Sequence, residues 1–319
     1  MDIAKYAVGP QSYDILSRAQ ISTFFASNAS VTRNECDDLA AELLGGPVNA
    51  TPIQGGNSYT VEREEAGKVV QFRSSQLDMA KFGLAQQVYS DFIPRSIYQG
   101  PLGSLHIYVC DRVSGTAFCR VRQQMFNSET GLDKRLRQTV QDLAKFFALA
   151  WNNRQALEIP LGLQNEYIAT LDKLSLILPD TLRPTIDTVK QNLHILFRPD
   201  FPIAVQHGDI LENNIHVEES SGHITGVVDW HDAFIAPFGL SLGGMEIFLG
   251  AQTHKNWYLH PFHLDLRRHF WDTFYTIIGQ VSELDQRSIE VGRLMGLLQA
   301  HGFESNGMSG IYLERLVLF

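Results

Sequence analysis

Between Leu132 and Phe147 the apolar residues Leu132, Leu136, Val140, Leu143 and Phe147 recur at steps of three and four, the period of one helix face, which predicts a long helix over 132–152. Shorter helices are expected over 166–176 and 183–196, and the tail from about 264 to 302 is again helical. Nearer the start the period changes. Segments 57–63 (NSYTVER) and 68–73 (KVVQFR) read as two strands around the turn EEAG, preceded by Gly55-Gly56. A helix over 76–90 and a strand over 105–110 (LHIYVC) follow. Residues 30–45 form a helix capped by Ser30 or Thr32, acidic in its early turns and stopped by Gly45-Gly46. Two more short strands fall near 214–218 and 224–229. The order is therefore a β-rich lobe, a connector, and a helical lobe with a small embedded hairpin. This is an α+β chain expected to divide into residues 1–113 and 114–319, and 319 residues suit two lobes better than one small core.

Composition narrows the function. A hydrophobic fraction of 44% and a charged fraction of 19% are those of a globular protein. With a net charge of −9 and no Lys/Arg cluster, the chain lacks the basic face of a nucleic-acid binder. The apolar stretch 233–251 is broken by Pro237, glycines and Glu246, so no membrane span is expected. No secretory leader is visible, and Cys36, Cys110 and Cys119 follow no metal spacing. They read as reduced thiols, which places the protein in the cytoplasm.

The chemistry concentrates in VQHGDILENNIHVEESSGHITGVVDWHDA, residues 205–233. Asp209 and Asn214 lie five residues apart on a loop entering NIHV, and Asp229 ends GVVD. If the two strands pair, the three side chains converge at the mouth of the hairpin. Such a group suits phosphoryl transfer from a nucleotide. That reaction needs a carboxylate to accept the proton of an attacking hydroxyl, and oxygen ligands for Mg²⁺. Any one of these residues alone is an ordinary turn or strand residue; the pattern H-x-D-x-x-x-x-N followed by V-V-D-W is much rarer. Backbone amides of Gly55-Gly56-Asn57-Ser58 can approach phosphate, although paired glycines serve plain turns equally well. The aromatic segment HKNWYLHPFHL, 254–264, reads as a partly buried helix connector, with an acceptor-pocket wall as its other use.

HGDILENN…GVVDW is similar to the HGD-x-x-x-x-N…DW signature of the aminoglycoside phosphotransferase and choline kinase-like family. GGNSYTV with VVQFR resembles that family's phosphate-covering hairpin and third strand, and LAKFFALAW its long helix. APFGLSLGGMEIFLG and LRRHFWDTF are similar to a fungal branch of the family. The resemblance covers most of the chain from about residue 30. It implies a protein-kinase-like fold, with a small β-rich N-lobe and a larger helical C-lobe, that uses ATP and Mg²⁺ to phosphorylate a hydroxyl, or less readily an amine, of a small molecule. Asp209 would be the catalytic base, Asn214 and Asp229 would hold Mg²⁺, and His207 would brace the loop. Arg73 would meet nucleotide phosphates where the family usually has Lys. Residues around Cys110 to Val113, Asp111 among them, would be the linker that meets adenine through backbone groups.

Two departures open a rival reading. Arg73 is a wide, fork-shaped cation rather than a point charge, and the 76–90 helix offers no Glu to hold it, only Asp78 near its start. A kinase-like fold that has lost phosphoryl transfer and binds or transforms a metabolite otherwise is the alternative. The acceptor is not legible.

Overall fold

The computed structural model describes residues 3–127, 129, 131–253, 255–303 and 309–317. The chain opens with helix α1 (Pro10–Ser27) and helix α2 (Arg33–Leu44). Thr32, not Ser30, caps α2: its hydroxyl accepts the Glu35 amide at 3.3 Å while the Glu35 carboxylate accepts the Thr32 amide at 2.7 Å. Gly45, at φ 73°, ends the helix in the left-handed conformation that glycine adopts without strain. An antiparallel sheet follows, made of β1 (Asn49–Ala50), β2 (Ser58–Arg63), β3 (Lys68–Arg73), β4 (Ser96–Leu102) and β5 (Leu105–Asp111), in the order β1-β2-β3-β5-β4. Helix α3 (Met79–Tyr89) links β3 to β4. The strand β4 escaped the sequence reading because Gly100 and Pro101 interrupt it. An edge strand with a bulge between Tyr98 and Gly100 tolerates them.

β6 (Thr116–Ala117) and helix α4 (Phe118–Met125) lead to α5 (Lys134–Asn152), the predicted long helix, which buries Leu136, Val140, Leu143 and Phe147. α6 (Leu163–Ile177) and α7 (Arg183–Asn192) come next. Strand β7 (Ile203–Gln206), the hairpin strands β8 (Ile215–Val217) and β9 (Ile224–Val227), and β10 (Phe234–Pro237) carry the acidic motif. β7 pairs with β10, and β6 joins the predicted hairpin to make a three-stranded sheet, β6-β8-β9. The segment expected as a helix connector is instead the second half of a hairpin, β11 (Gly250–Gln252) with β12 (Trp257–Leu259); His254 lies outside the described residues. Trp257 is buried and Tyr258 stacks flat on Tyr6 at 3.6 Å, contacts that favour extended backbone for alternating side chains. The tail is two long helices, α8 (His263–Ile278) and α9 (Glu283–His301), followed by α10 (Ser309–Val317).

Side chains divide into two cores. Tyr59, Val61, Val70 and Phe72 of β2 and β3 pack with Phe24, Cys36 and Ala40 in the smaller one. The larger one takes the helices, and it also takes α3, through Phe82, Ala85, Val88 and Tyr89. The Tyr89 hydroxyl donates to the Val205 carbonyl at 2.8 Å, tying α3 to β7. Among the described residues no helix is long and apolar enough to cross a membrane.

Candidate active site

Strand alternation builds the roof. While Tyr59, Val61, Val70 and Phe72 face the small core, Ser58, Thr60, Glu62, Val69, Gln71 and Arg73 face the other way and line a cavity of about 360 Å³. Thr116 and Ala117 of β6 and His216 of β8 are its floor, residues 110–113 and Gly115 its back wall, and Asn213, Asn214 and Asp229 its far end. Ile215 and Val217 point into the large core, so His216 between them points into the cavity.

The acidic motif converges as the hairpin predicts. Ile215 pairs with Val227, and the Val228 amide extends the ladder to the Asn214 carbonyl at 2.9 Å, so Asn214 and Asp229 emerge together at the hairpin mouth. The Asn214 side-chain amide donates to the Asp209 carbonyl at 2.8 Å and reaches the Asp209 carboxylate at 3.4 Å. His207 is buried and acts as a bracket. Its Nδ1 accepts the Asp209 amide at 3.0 Å, which leaves Nε2 to donate to the Val228 carbonyl at 2.9 Å. The ring also packs edge-on against Trp230, with centroids 4.7 Å apart. Burial holds His207 below its ordinary pKa, so the neutral tautomer that these two bonds require is the stable one. Gly208 permits the close approach of the DW turn: a Cβ there would sit 2.3 Å from the Asp232 carbonyl oxygen.

Asp229 adopts φ 62° and ψ 61°, a left-handed conformation that a residue other than glycine takes at some cost. Its carboxylate meets Arg73 Nη1 at 3.3 Å. Arg73 is 3% exposed, also donates to Gln71 at 3.1 Å, and keeps a buried Nε without a partner. Asp78, the partner suggested by the sequence, does not hold it. Asp78 caps α3 through the amides of Ala80 and Lys81 and pairs with Lys81 at 3.2 Å, because a carboxylate at a helix start serves the free amides beside it first. Burial raises the pKa of Asp209, helped by the negative charges of Asp229 and Asp232.

Of the glycine loop, Gly55 and Ser58 line the cavity, while Gly56 and Asn57 are exposed at its lip with open space at Gly56. Asp111 lines the cavity and pairs with Lys68. Part of the linker backbone is already engaged: the Asp111 amide donates to Arg95 at 2.8 Å and the Arg112 amide to Gly67 at 3.0 Å. The amide of Val113 takes no part in these bonds. Among the residues brought into the cavity, Glu62, Gln71, Arg120 and His216 were not singled out by the sequence. Alternation along β2 and β3 would have given Glu62 and Gln71; nothing local marks Arg120. Asn214 and Asp229 present oxygen atoms at one end of the cavity where the Arg73 cation already sits, a donor set that suits a hard cation sharing its remaining positions with phosphate.

No curated protein sequence matches the chain. Among the solved structures that match, two show its fold. A candidate aminoglycoside phosphotransferase from Ralstonia eutropha JMP134 is 12% identical, with 83% of this chain and 88% of that one covered and a TM-score of 0.53. A choline/ethanolamine kinase family protein from Mesorhizobium loti is 12% identical, with 87% and 90% covered and a TM-score of 0.52. The small antiparallel sheet beside a larger helical part is thus the kinase-like fold expected from the sequence. The Phosphotransferase enzyme family matches residues 52–245, a span that runs from the glycine loop through HGDILENN and DW and takes in more than half of the chain, and the protein belongs to that family.

Proposed function

We propose that the protein transfers the γ-phosphoryl group of ATP, with Mg²⁺, to a hydroxyl of a small molecule. Residues 1–113 would serve the nucleotide, and residues 114–319 would carry the catalytic loop and the acceptor pocket. The observation that carries this reading is the hairpin mouth. One loop and one turn, clamped by His207, bring Asn214 and Asp229 to the end of a cavity whose roof supplies Arg73, with Asp209 bonded to Asn214 beside it.

In this reading Asp209 accepts the proton of the attacking hydroxyl and Asn214 holds the Asp209 main chain in place. Arg73 contacts the nucleotide phosphates, and Gly55 and Ser58 cover them from above with backbone amides, Gly56 and Asn57 forming the lip. Asp111 and its neighbours flank the base. Asn214 and Asp229 would hold Mg²⁺, which supplies charge neutralisation on the phosphates. A thermal-shift series with ATP, GTP and ADP, each with and without Mg²⁺, tests the reading. A rise in melting temperature that needs both nucleotide and metal supports it, and no shift at millimolar nucleotide removes it.

The Arg73–Asp229 pair favours a second reading, in which the cavity binds a metabolite and no longer transfers phosphate. Two of its charged groups already satisfy one another, and among the described residues no α3 carboxylate holds Arg73. Melting-temperature shifts with anionic metabolites but not with nucleotide would support it.

A further inference from the structure

The first helix lies outside the family match, yet it touches both loops that the proposed reaction uses. Tyr13 and Ser17 are four residues apart, so they share one face of α1. The Tyr13 hydroxyl donates to the Glu212 carboxylate at 3.2 Å. Glu212 sits inside the catalytic loop, between Asp209 and Asn214. Its carboxylate is held by buried Arg122 at 3.0 Å, and its carbonyl accepts the Cys119 amide at 2.8 Å. One turn along the helix, Ser17 is 7% exposed and grips the glycine loop twice. Its hydroxyl donates to the Pro52 carbonyl at 2.9 Å and accepts the Gln54 amide at 3.2 Å. That loop is stiff in itself, because the Gln54 side chain exchanges bonds with both backbone groups of Thr60, at 3.0 Å and 2.7 Å. Between the two grips, Asp14 pairs at 2.6 Å with Arg120 of the cavity wall.

The ends of the segment are anchored in different cores. Ile3 and Ala7 belong to the large one, and Tyr6 stacks on Tyr258. Phe24 belongs to the small one, with Ile21 and Phe25 packed against it. A segment anchored in one core before α1 and in the other at the C-terminal end of α1, with the helix bonded on one face to two loops, sets the distance between them.

We propose that α1 is a strap across the cleft, and that Tyr13 and Ser17 are positioning residues holding the glycine loop and the catalytic loop at one separation. The functional value of that separation rests on the phosphotransferase reading; the mechanical coupling does not. Because the helix carries both contacts, releasing either end uncouples the loops, and releasing the second adds little.

Amide hydrogen exchange and Mg²⁺–ATP titration on Tyr13→Phe, Ser17→Ala and the double variant test this. Neither substitution removes a group from the catalytic set. Tyr13→Phe is expected to speed exchange about tenfold in residues 53–58, which Tyr13 does not touch, as well as in 209–214. Ser17→Ala is expected to do the same in reverse, and Ser17→Thr, which keeps the hydroxyl, to restore protection. Each single variant should bind Mg²⁺–ATP about tenfold more weakly, and the double variant also about tenfold rather than about a hundredfold. Exchange changes confined to the loop each residue touches, or losses that multiply, would overturn the strap. If the wild-type protein binds no nucleotide, the phosphotransferase reading fails while the exchange experiment still decides the coupling.

Discussion

Asp209 is a carboxylate pressed toward its neutral form by burial and by the charges of Asp229 and Asp232. As a base it works only ionised, so activity should fall as the pH drops through its raised pKa. Asp232→Asn removes one of the negative charges that raise it. The acid limb of the kcat/KM profile should therefore move to lower pH in that variant, and an unmoved limb would detach Asp232 from the site. Asp209→Asn should cut turnover by about 10²–10⁴-fold, the usual worth of general base catalysis, while leaving nucleotide affinity and the fold in place. Wild-type turnover on an identified acceptor would show that another group takes the proton. Arg73 donates from Nη1 to two groups, the Asp229 carboxylate at 3.3 Å and the Gln71 side-chain oxygen at 3.1 Å. Arg73→Ala should weaken Mg²⁺–ATP binding, and Arg73→Lys should recover part of it, since a point charge still meets phosphate. Calorimetric titration of both variants reads this directly; equal affinity in all three proteins would free Arg73 from the nucleotide.

At the scale of elements, close backbone contacts hold the helical part together. α9 crosses the turn after β10 at Gly296, where a Cβ would lie 1.8 Å from the Leu240 carbonyl oxygen and 2.9 Å from its Cα. Both neighbours are backbone, which cannot swing aside. Gly296→Ala should therefore push α9 off this turn and destabilise the protein by about 1–3 kcal/mol, the usual cost of overpacking, despite alanine's better helix propensity. Urea unfolding measures it; an unchanged midpoint would mean the turn yields. Some elements were plain in the chain. The α2 box, the β2–β3 turn and the α5 stripe each depend on residues a few positions apart. Others were not. β4 hides behind Gly100 and Pro101, and α1 shows no apolar stripe because only Ile21, Phe24 and Phe25, near its C-terminal end, belong to a core.

For the whole molecule, buried neutral histidines tie stability to pH. Burial lowers His216 and His260 from 6.5 to about 4. The unfolded chain takes up those protons near pH 6.5 and the folded one only near pH 4, so each histidine costs stability progressively as the pH falls through that window and no further below it. His216→Leu removes one of the two. Its melting temperature relative to wild type should rise as the pH drops from 6.5 to about 4 and then level off, and a pH-independent gap would mean His216 titrates normally.

Along the chain itself, spacing was sufficient to place Asp209, Asn214 and Asp229 at one hairpin mouth, because β-pairing between strands so near in sequence leaves few other arrangements. The tertiary structure alone decided the rest. Arg73 finds Asp229 across 156 residues, α3 joins the core of the helical part, and α1 lies across both loops. Each depends on which surfaces meet when distant segments pack, and local periodicity carries no record of that.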